Sequence, residues 1–277
     1  MNNFVRTTLP AITNHIGAVF RRGPSGISSA GNAYSISGMA AGDGARPPIG
    51  VWASYSFADS SNDFTTTAFS SDRHTAILGL DTMPSDNLLL GVSVSLERAN
   101  VKTRFNNGEQ SATGISVTPY IGYLLSDWLT FDAAVGIGSV STDQFRTAGA
   151  TRISSDVEST RVYGSMNATA TWTFDRLLAS SRAGFLYATQ EDDKFLESNG
   201  AAVADSRSSV GRVLFGGELA YSLAAWEPYV SGTFEHDFTR TKSIAVAGVA
   251  QPKNDDTDVL FATGLRYFGK NNLSGSL

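Results

Sequence analysis

The 277-residue chain predicts an all-β fold, an antiparallel up-and-down transmembrane β-barrel, with a short helical segment ahead of it. Three observations carry this prediction. After Ile49 apolar residues recur at every second position. Charged residues make up only 17% of the chain, against roughly 25% in soluble domains, yet no apolar run approaches the roughly 20 residues of a membrane helix. Tight turns alternate with longer polar segments. A membrane barrel combines all three, because its apolar band is spread over alternate positions and escapes a hydropathy window.

The N-terminal region, residues 1–48, divides in two. Leu9 to Arg22 reads as a helix: Pro10 suits a first turn, and Ile12, Ile16, Val19 and Phe20 form an apolar stripe. Arg21 and Arg22 sit at the negative end of the dipole, and Gly23 ends the helix. From Gly23 to Pro48 the composition turns to Gly, Ser and Ala without a period, which predicts a linker.

Residues 49–277 read as the barrel. Val51, Ala53, Tyr55 and Phe57 alternate with Trp52, Ser54 and Ser56; Leu90, Val92, Val94 and Leu96 alternate with Gly91, Ser93, Ser95 and Glu97. The same holds around Ile115–Tyr123, Phe131–Ile137 and Val213–Tyr221. Short turns are predicted at Met83–Asn87, Leu125–Trp128, Phe174–Arg176, Ala224–Trp226 and Gly269–Asn271. Longer polar segments, Ala58–Ser70, Asn100–Gln110, Thr142–Asp156, Gln190–Ser208 and Thr239–Asp256, are predicted as loops at the opposite end.

Parity then assigns side chains to faces. Tyr123, Trp172, Tyr221 and Tyr267 fall on the apolar parity just before short turns, which predicts half of a membrane aromatic girdle. Glu97, Asp132, Arg182, Arg212, Glu218, Glu235 and Arg266 fall on the other parity and are predicted to line the pore. Mixed charge there suits contact with a helix or a passing polypeptide, or pairing across the lumen. A soluble sandwich or barrel also alternates, but its polar face would be rich in Lys and Glu, where this one carries Gly, Ser, Thr and Ala.

The order of amphipathic helix, small-residue linker and Gly50-Val51-Trp52-Ala53-Ser54-Tyr55, with Ser126-Asp127-Trp128-Leu129-Thr130-Phe131 and Leu260-Phe261-Ala262-Thr263-Gly264-Leu265-Arg266-Tyr267, resembles the autotransporter β-domain of type V secretion. The resemblance is architectural and spans nearly the whole chain. It implies a twelve-stranded barrel in the bacterial outer membrane with the helix in its pore, a covalently linked passenger, and contacts with outer-membrane lipid, lipopolysaccharide and the barrel assembly machinery. About ten to eleven strands are countable here, and the terminal aromatic of the family is missing. No signal peptide is visible either. The sequence therefore reads as a C-terminally incomplete piece of a longer protein, whose barrel is not expected to close.

Chemistry is thinly represented. With no cysteine, thiol nucleophiles, thiolate metal sites and disulfides are excluded, and a net charge of −5 argues against nucleic acid as a partner. No Gly-rich phosphate loop is present, and no cofactor, metal or catalytic residue is assigned. Asn2-Asn3 lies where some family members cleave their passenger, but a fraying terminus is the reading adopted. His236 and Asp237 are adjacent on a strand and must point to opposite faces, so they do not form a protease-like pair. The acidic tips Glu191-Asp192-Asp193 and Asp255-Asp256 read as solvated loop charge, with divalent-cation or lipopolysaccharide bridging as the alternative. The functional expectation is transport: an outer-membrane anchor and translocator, with a porin-like or protease/lipase barrel as the alternative.

Overall fold

On strand after strand, one parity carries Val, Leu, Ile and aromatics and the other carries Ser, Thr, Gly and charge. A sheet with one greasy face in lipid must leave no unpaired edge, and it does so by curling shut. In the computed structural model the described residues are 2–21, 32–39, 49–64, 66–223, 225–241, 255–268 and 273–276. They form a helix α1 (Asn2–Arg21) and strands β1 (Asn32–Met39), β2 (Gly50–Asn62), β3 (Phe69–Ser85), β4 (Leu88–Thr103), β5 (Gly108–Ser126), β6 (Leu129–Ala148) and β7 (Thr151–Phe174). Then follow β8 (Leu177–Asp192), β9 (Phe195–Leu196), β10 (Ala202–Val203), β11 (Ser206–Tyr221), β12 (Trp226–Arg240), β13 (Thr257–Phe268) and β14 (Leu273–Ser276). Twelve of these close into one antiparallel barrel, while β9 and β10 make a separate ribbon between β8 and β11.

The expectation that the barrel does not close is corrected. Its twelfth strand is β1, drawn from the segment read as a linker. β1 pairs with β2 from Asn32↔Phe57 to Met39↔Gly50, and with β14 from Ser35↔Ser276 to Gly38↔Leu273. Eight residues of mostly small side chains give a period too short to stand out, although Tyr34 and Ile36 do alternate with Ser35 and Ser37. The rest of that segment, and the turn predicted at Gly269–Asn271, lie outside the described residues.

The helix also differs from its prediction. It begins at Asn2, so Pro10 stands inside it rather than in its first turn. Phe4, Val5 and Leu9 extend the apolar stripe of Ile12 and Ile16, and all five are buried. That burial outweighs the one helical hydrogen bond that proline cannot donate. Twenty residues at 1.5 Å each give a rod of about 30 Å, the thickness of a bilayer core.

Short turns at Asp86–Asn87, Asp127–Trp128 and Asp175–Arg176 gather at one mouth. At the other mouth the described polar segments are mostly not loops, while most of the segment predicted at Thr239–Asp256 lies outside the described residues. The ladder of β6 and β7 runs unbroken to Ala148↔Thr151, turning through Gly149 at a φ of 61°. β7 has 24 residues where a membrane strand needs about 10, so its polar half stands beyond the apolar band. Polar residues there pair through the backbone as well as apolar ones do, but they leave no periodic signature.

Candidate functional site

The lumen of the barrel is filled by α1. The helix leans on the wall made by β1 to β7. Near its C-terminal end, Ile16 and Phe20 lie so close to Gly122 that a side chain there would collide with them. Gly122 stands a few residues from the Asp127–Trp128 turn, so the helix C-terminus is at the short-turn mouth. At its other end Arg6 reaches Glu235 on β12 and Asp258 on β13, at the opposite mouth. Beside the helix a cavity of about 150 Å³ remains, lined by Thr13, Gly17, Phe20, Trp128, Asp132 and Arg182. An extended polypeptide does not fit through such a space.

Polar networks fasten the helix to the wall at several heights. Near the N-terminus Phe4 meets Tyr163 edge-on, with ring centroids 5.4 Å apart, and lies under the Arg161 guanidinium at 4.4 Å. Arg161 in turn donates to Glu97 at 2.5 Å, and Arg73 donates to the other oxygen of the same carboxylate at 2.6 Å. Midway, Thr13 donates to Asp132 at 2.8 Å while Asn167 bridges both, and Arg182 donates to Asn14 at 2.9 Å. Lower down His15 stacks on Trp52 with centroids 4.6 Å apart and is hydrogen-bonded to Asp81 at 2.6 Å. Tyr120 donates to the same Asp81 oxygen at 3.0 Å and accepts from the Trp52 indole at 2.7 Å.

The far wall carries two further clusters. Arg212 donates to Glu235 at 2.6 Å and to Asp237 at 2.5 Å, and Arg6 joins from the helix at 2.7 Å. Arg266 sits between Glu218 at 2.6 Å and Glu227 at 2.7 Å, over the ring of Tyr229. In these two clusters each arginine lies between two carboxylates in contact with it, the condition for keeping such ions out of bulk water.

All seven residues expected at the pore, Glu97, Asp132, Arg182, Arg212, Glu218, Glu235 and Arg266, are buried inside the barrel. Tyr123, Trp172, Tyr221 and Tyr267 are exposed on its outside near the short turns. Trp172 stacks with Trp128 and Tyr267 packs on Trp226, which widens this aromatic level. His236 faces outward and bonds Thr257, while its neighbour Asp237 faces inward on Arg212. His74 is also on the outer parity, bonded to Tyr55. At the acidic tip Asp192 is engaged by Ser159, Gln190 and Ser206, and Glu191 by Arg207. Among the described residues no group of three or more His, Asp or Glu has the arrangement of a metal site. The side chains of Asn2 and Asn3 lie outside the described residues.

The autotransporter beta-domain family model matches residues 51–276. The chain belongs to the autotransporter β-domain family. This places the autotransporter β-domain described here in the bacterial outer membrane, as a type V secretion translocator that serves a passenger. Solved structures agree on the fold. The translocator domain of the autotransporter NalP from Neisseria meningitidis matches with a TM-score of 0.68 at 12% identity, covering 99% of this chain and 94% of that one. The β-domain of the Bordetella autotransporter BrkA matches with a TM-score of 0.61 at 13% identity, covering 84% of each. The Pseudomonas putida toluene transporter TodX is more distant, with a TM-score of 0.51 at 11% identity over 98% of this chain and 90% of that one. No curated protein matches in sequence.

Sequence parity missed several members of this autotransporter lumen. Arg73 and Asp81 lie on β3, where Ile77 faces inward into the buried cluster of the helix and makes the run Ala76-Ile77-Leu78-Gly79-Leu80 apolar on both faces. His15 sits one residue from the apolar stripe of the helix, and its partner is 66 residues away. An inward aromatic such as Trp52 or Tyr120 was the available signal: a large ring on the otherwise small parity marks where the helix touches the wall.

Proposed function

We propose that α1 is the resting plug of the translocation pore and that the seven buried charges line the passenger's path. The observation that supports this reading most is the polarity of the helix. Its N-terminal end lies at the long-hairpin mouth and its C-terminal end at the short-turn mouth. With the long hairpins outside the cell, a passenger joined to that N-terminus stands at the cell surface. On the far wall, where Arg212 and Arg266 each lie between carboxylates, the lumen offers no single-signed surface to hold an unfolded chain as it passes. The sequence has no Gly-rich phosphate loop, and in this reading folding of the passenger outside supplies the direction.

The domain acts in this reading as a transporter and not as an enzyme. The buried His15–Asp81 pair is engaged by Trp52 and Tyr120, both structural partners. The barrel assembly machinery is the proposed insertion partner, because a half-built sheet with open edges does not survive in lipid. Lipopolysaccharide is the proposed neighbour of the long-hairpin half. The test is single-channel recording of the reconstituted barrel with and without residues 2–21. Deletion raises conductance several-fold if the helix is the plug. An unchanged conductance refutes the plug and returns the domain to a simple porin.

A further inference from the structure

The outer surface of the barrel carries a groove that no lumen function explains. It has a volume of about 440 Å³ and runs between β2, β3 and β4. Ala53 and Ala76 form its floor, and Tyr55, Leu78, Val94 and Leu96 its walls. Most of the lipid-facing surface is ridged with Val, Leu and Phe; here two adjacent strands carry alanine, and the surface is recessed.

What stands at the long-hairpin end of the groove gives it a direction. Along the outer parity of β4 the residues run Leu90, Val92, Val94, Leu96 and then Arg98. On β3 the equivalent first polar residue is His74, directly opposite Arg98 in the ladder. The Tyr55 hydroxyl, at the rim of the groove, holds His74 Nδ1 at 2.6 Å. Arg98 is exposed and has no hydrogen-bond or ion-pair partner among the described residues. By contrast Arg73, Arg161, Arg212 and Arg266 on the inner face each contact at least one carboxylate. Two residues further out the same face turns acidic with Asp59 and Asp72, and Asp72 already accepts from Asn100 at 2.9 Å. An anion drawn to Arg98 is thus confined to that one level, between the apolar groove and the acids.

We propose that this groove binds one acyl chain of lipid A, the phosphorylated glycolipid anchor of lipopolysaccharide, with a lipid phosphate on the Arg98 guanidinium and His74 beside it. The geometry supplies both halves of an amphiphile site: an apolar trough and, at its outer end, a fork of N–H donors suited to a phosphate. The choice of lipid A over an inner-leaflet phospholipid rests on the orientation proposed above, with the long hairpins outside.

The test uses the full chain refolded in zwitterionic detergent micelles, with its folded fraction read from heat-modifiable gel mobility. Lipid A is titrated in and bound stoichiometry is read by native mass spectrometry. One molecule per barrel is expected. Arg98→Gln should weaken binding about tenfold or more, the usual worth of a charge-assisted hydrogen bond. Ala76→Trp should remove binding by filling the trough, and dephosphorylated lipid A should bind the wild type as weakly as lipid A binds Arg98→Gln. Val135→Trp, on the lipid-facing parity of β6, should change nothing. Wild-type binding by both Arg98→Gln and Ala76→Trp overturns the site, as does an equal loss in Val135→Trp or equal binding of phosphatidylglycerol. Orientation is read separately, by protease cleavage of the long hairpins on intact cells, so its failure is distinguishable from failure of the site.

Discussion

Replacing Arg6 by Gln removes the charge with which the N-terminal end of the helix grips the far wall. Arg6 donates to a single Glu235 oxygen through Nε at 3.0 Å and Nη2 at 2.7 Å, and also contacts Asp258. A hydrogen bond to a buried charge contributes about 1.5–3 kcal/mol. The Asp258 arm, on a half-exposed carboxylate, adds at most about 1 kcal/mol. The larger penalty of stranding a buried ion is not incurred, because Glu235 keeps Arg212 at 2.6 Å. The plugged state should therefore lose about 2–3 kcal/mol, which multiplies the unplugged population about 30- to 150-fold. Phe4, Val5, Leu9, Ile12 and Ile16 remain buried, so the helix still occupies the pore most of the time. The assay is the open-time fraction in planar-bilayer recordings, where Arg6→Gln should show frequent full openings and Arg6→Lys an intermediate number. An open fraction within twofold of wild type, in a barrel whose pore does open when residues 2–21 are deleted, would refute the assignment of Arg6 as a latch.

Two further outcomes follow from the same structure. Glu97→Gln leaves Arg73 and Arg161 as like charges on one neutral amide, and should destabilise the barrel by about 3–5 kcal/mol in urea-dependent folding into vesicles; a loss below about 1 kcal/mol would mean the cluster is hydrated rather than mutually dependent. Val135→Arg, in the outward apolar band, should cost about 2–4 kcal/mol in the same assay, whereas Asp143→Arg beyond the band should be nearly neutral; equal costs would contradict the placement of the band.

The parts of this fold that can be read from sequence are those where one residue in two faces lipid. On β4 the outward residues are Leu, Val, Val and Leu against Gly, Ser, Ser and Glu, and parity alone carries Glu97 inward. Legibility fails wherever that contrast is lost, for three separate reasons. On β3 the inward Ile77 packs on the helix, so both faces are apolar and Arg73 and Asp81 lose their reference. On the outer third of β7, Thr151 to Glu158, only Ile153 and Val157 are apolar and the residues facing away from them are polar, so the stretch resembles a loop. On β1 the strand is only eight residues, most of them with small side chains. The site was half legible for a similar reason. Parity says that a charge points inward, but the partner it finds there, as Arg6 finds Glu235 across 229 residues, is a property of closure and not of pattern.

The seam at which the barrel shuts has an implication for how the molecule is put together. Nearly every other neighbouring strand pair in the wall is a hairpin or a short connection, but β1 and β14 meet across about 240 residues of chain. Loop-closure entropy is lost last for such a contact, so the sheet can grow as an open, curling ribbon and zip at the end. While it is open, its trough is accessible from the side along its whole length. A rod such as α1 then has no need to be threaded end-on through a finished ring. It can lie down in the trough, its stripe against β3 to β7, and be wrapped.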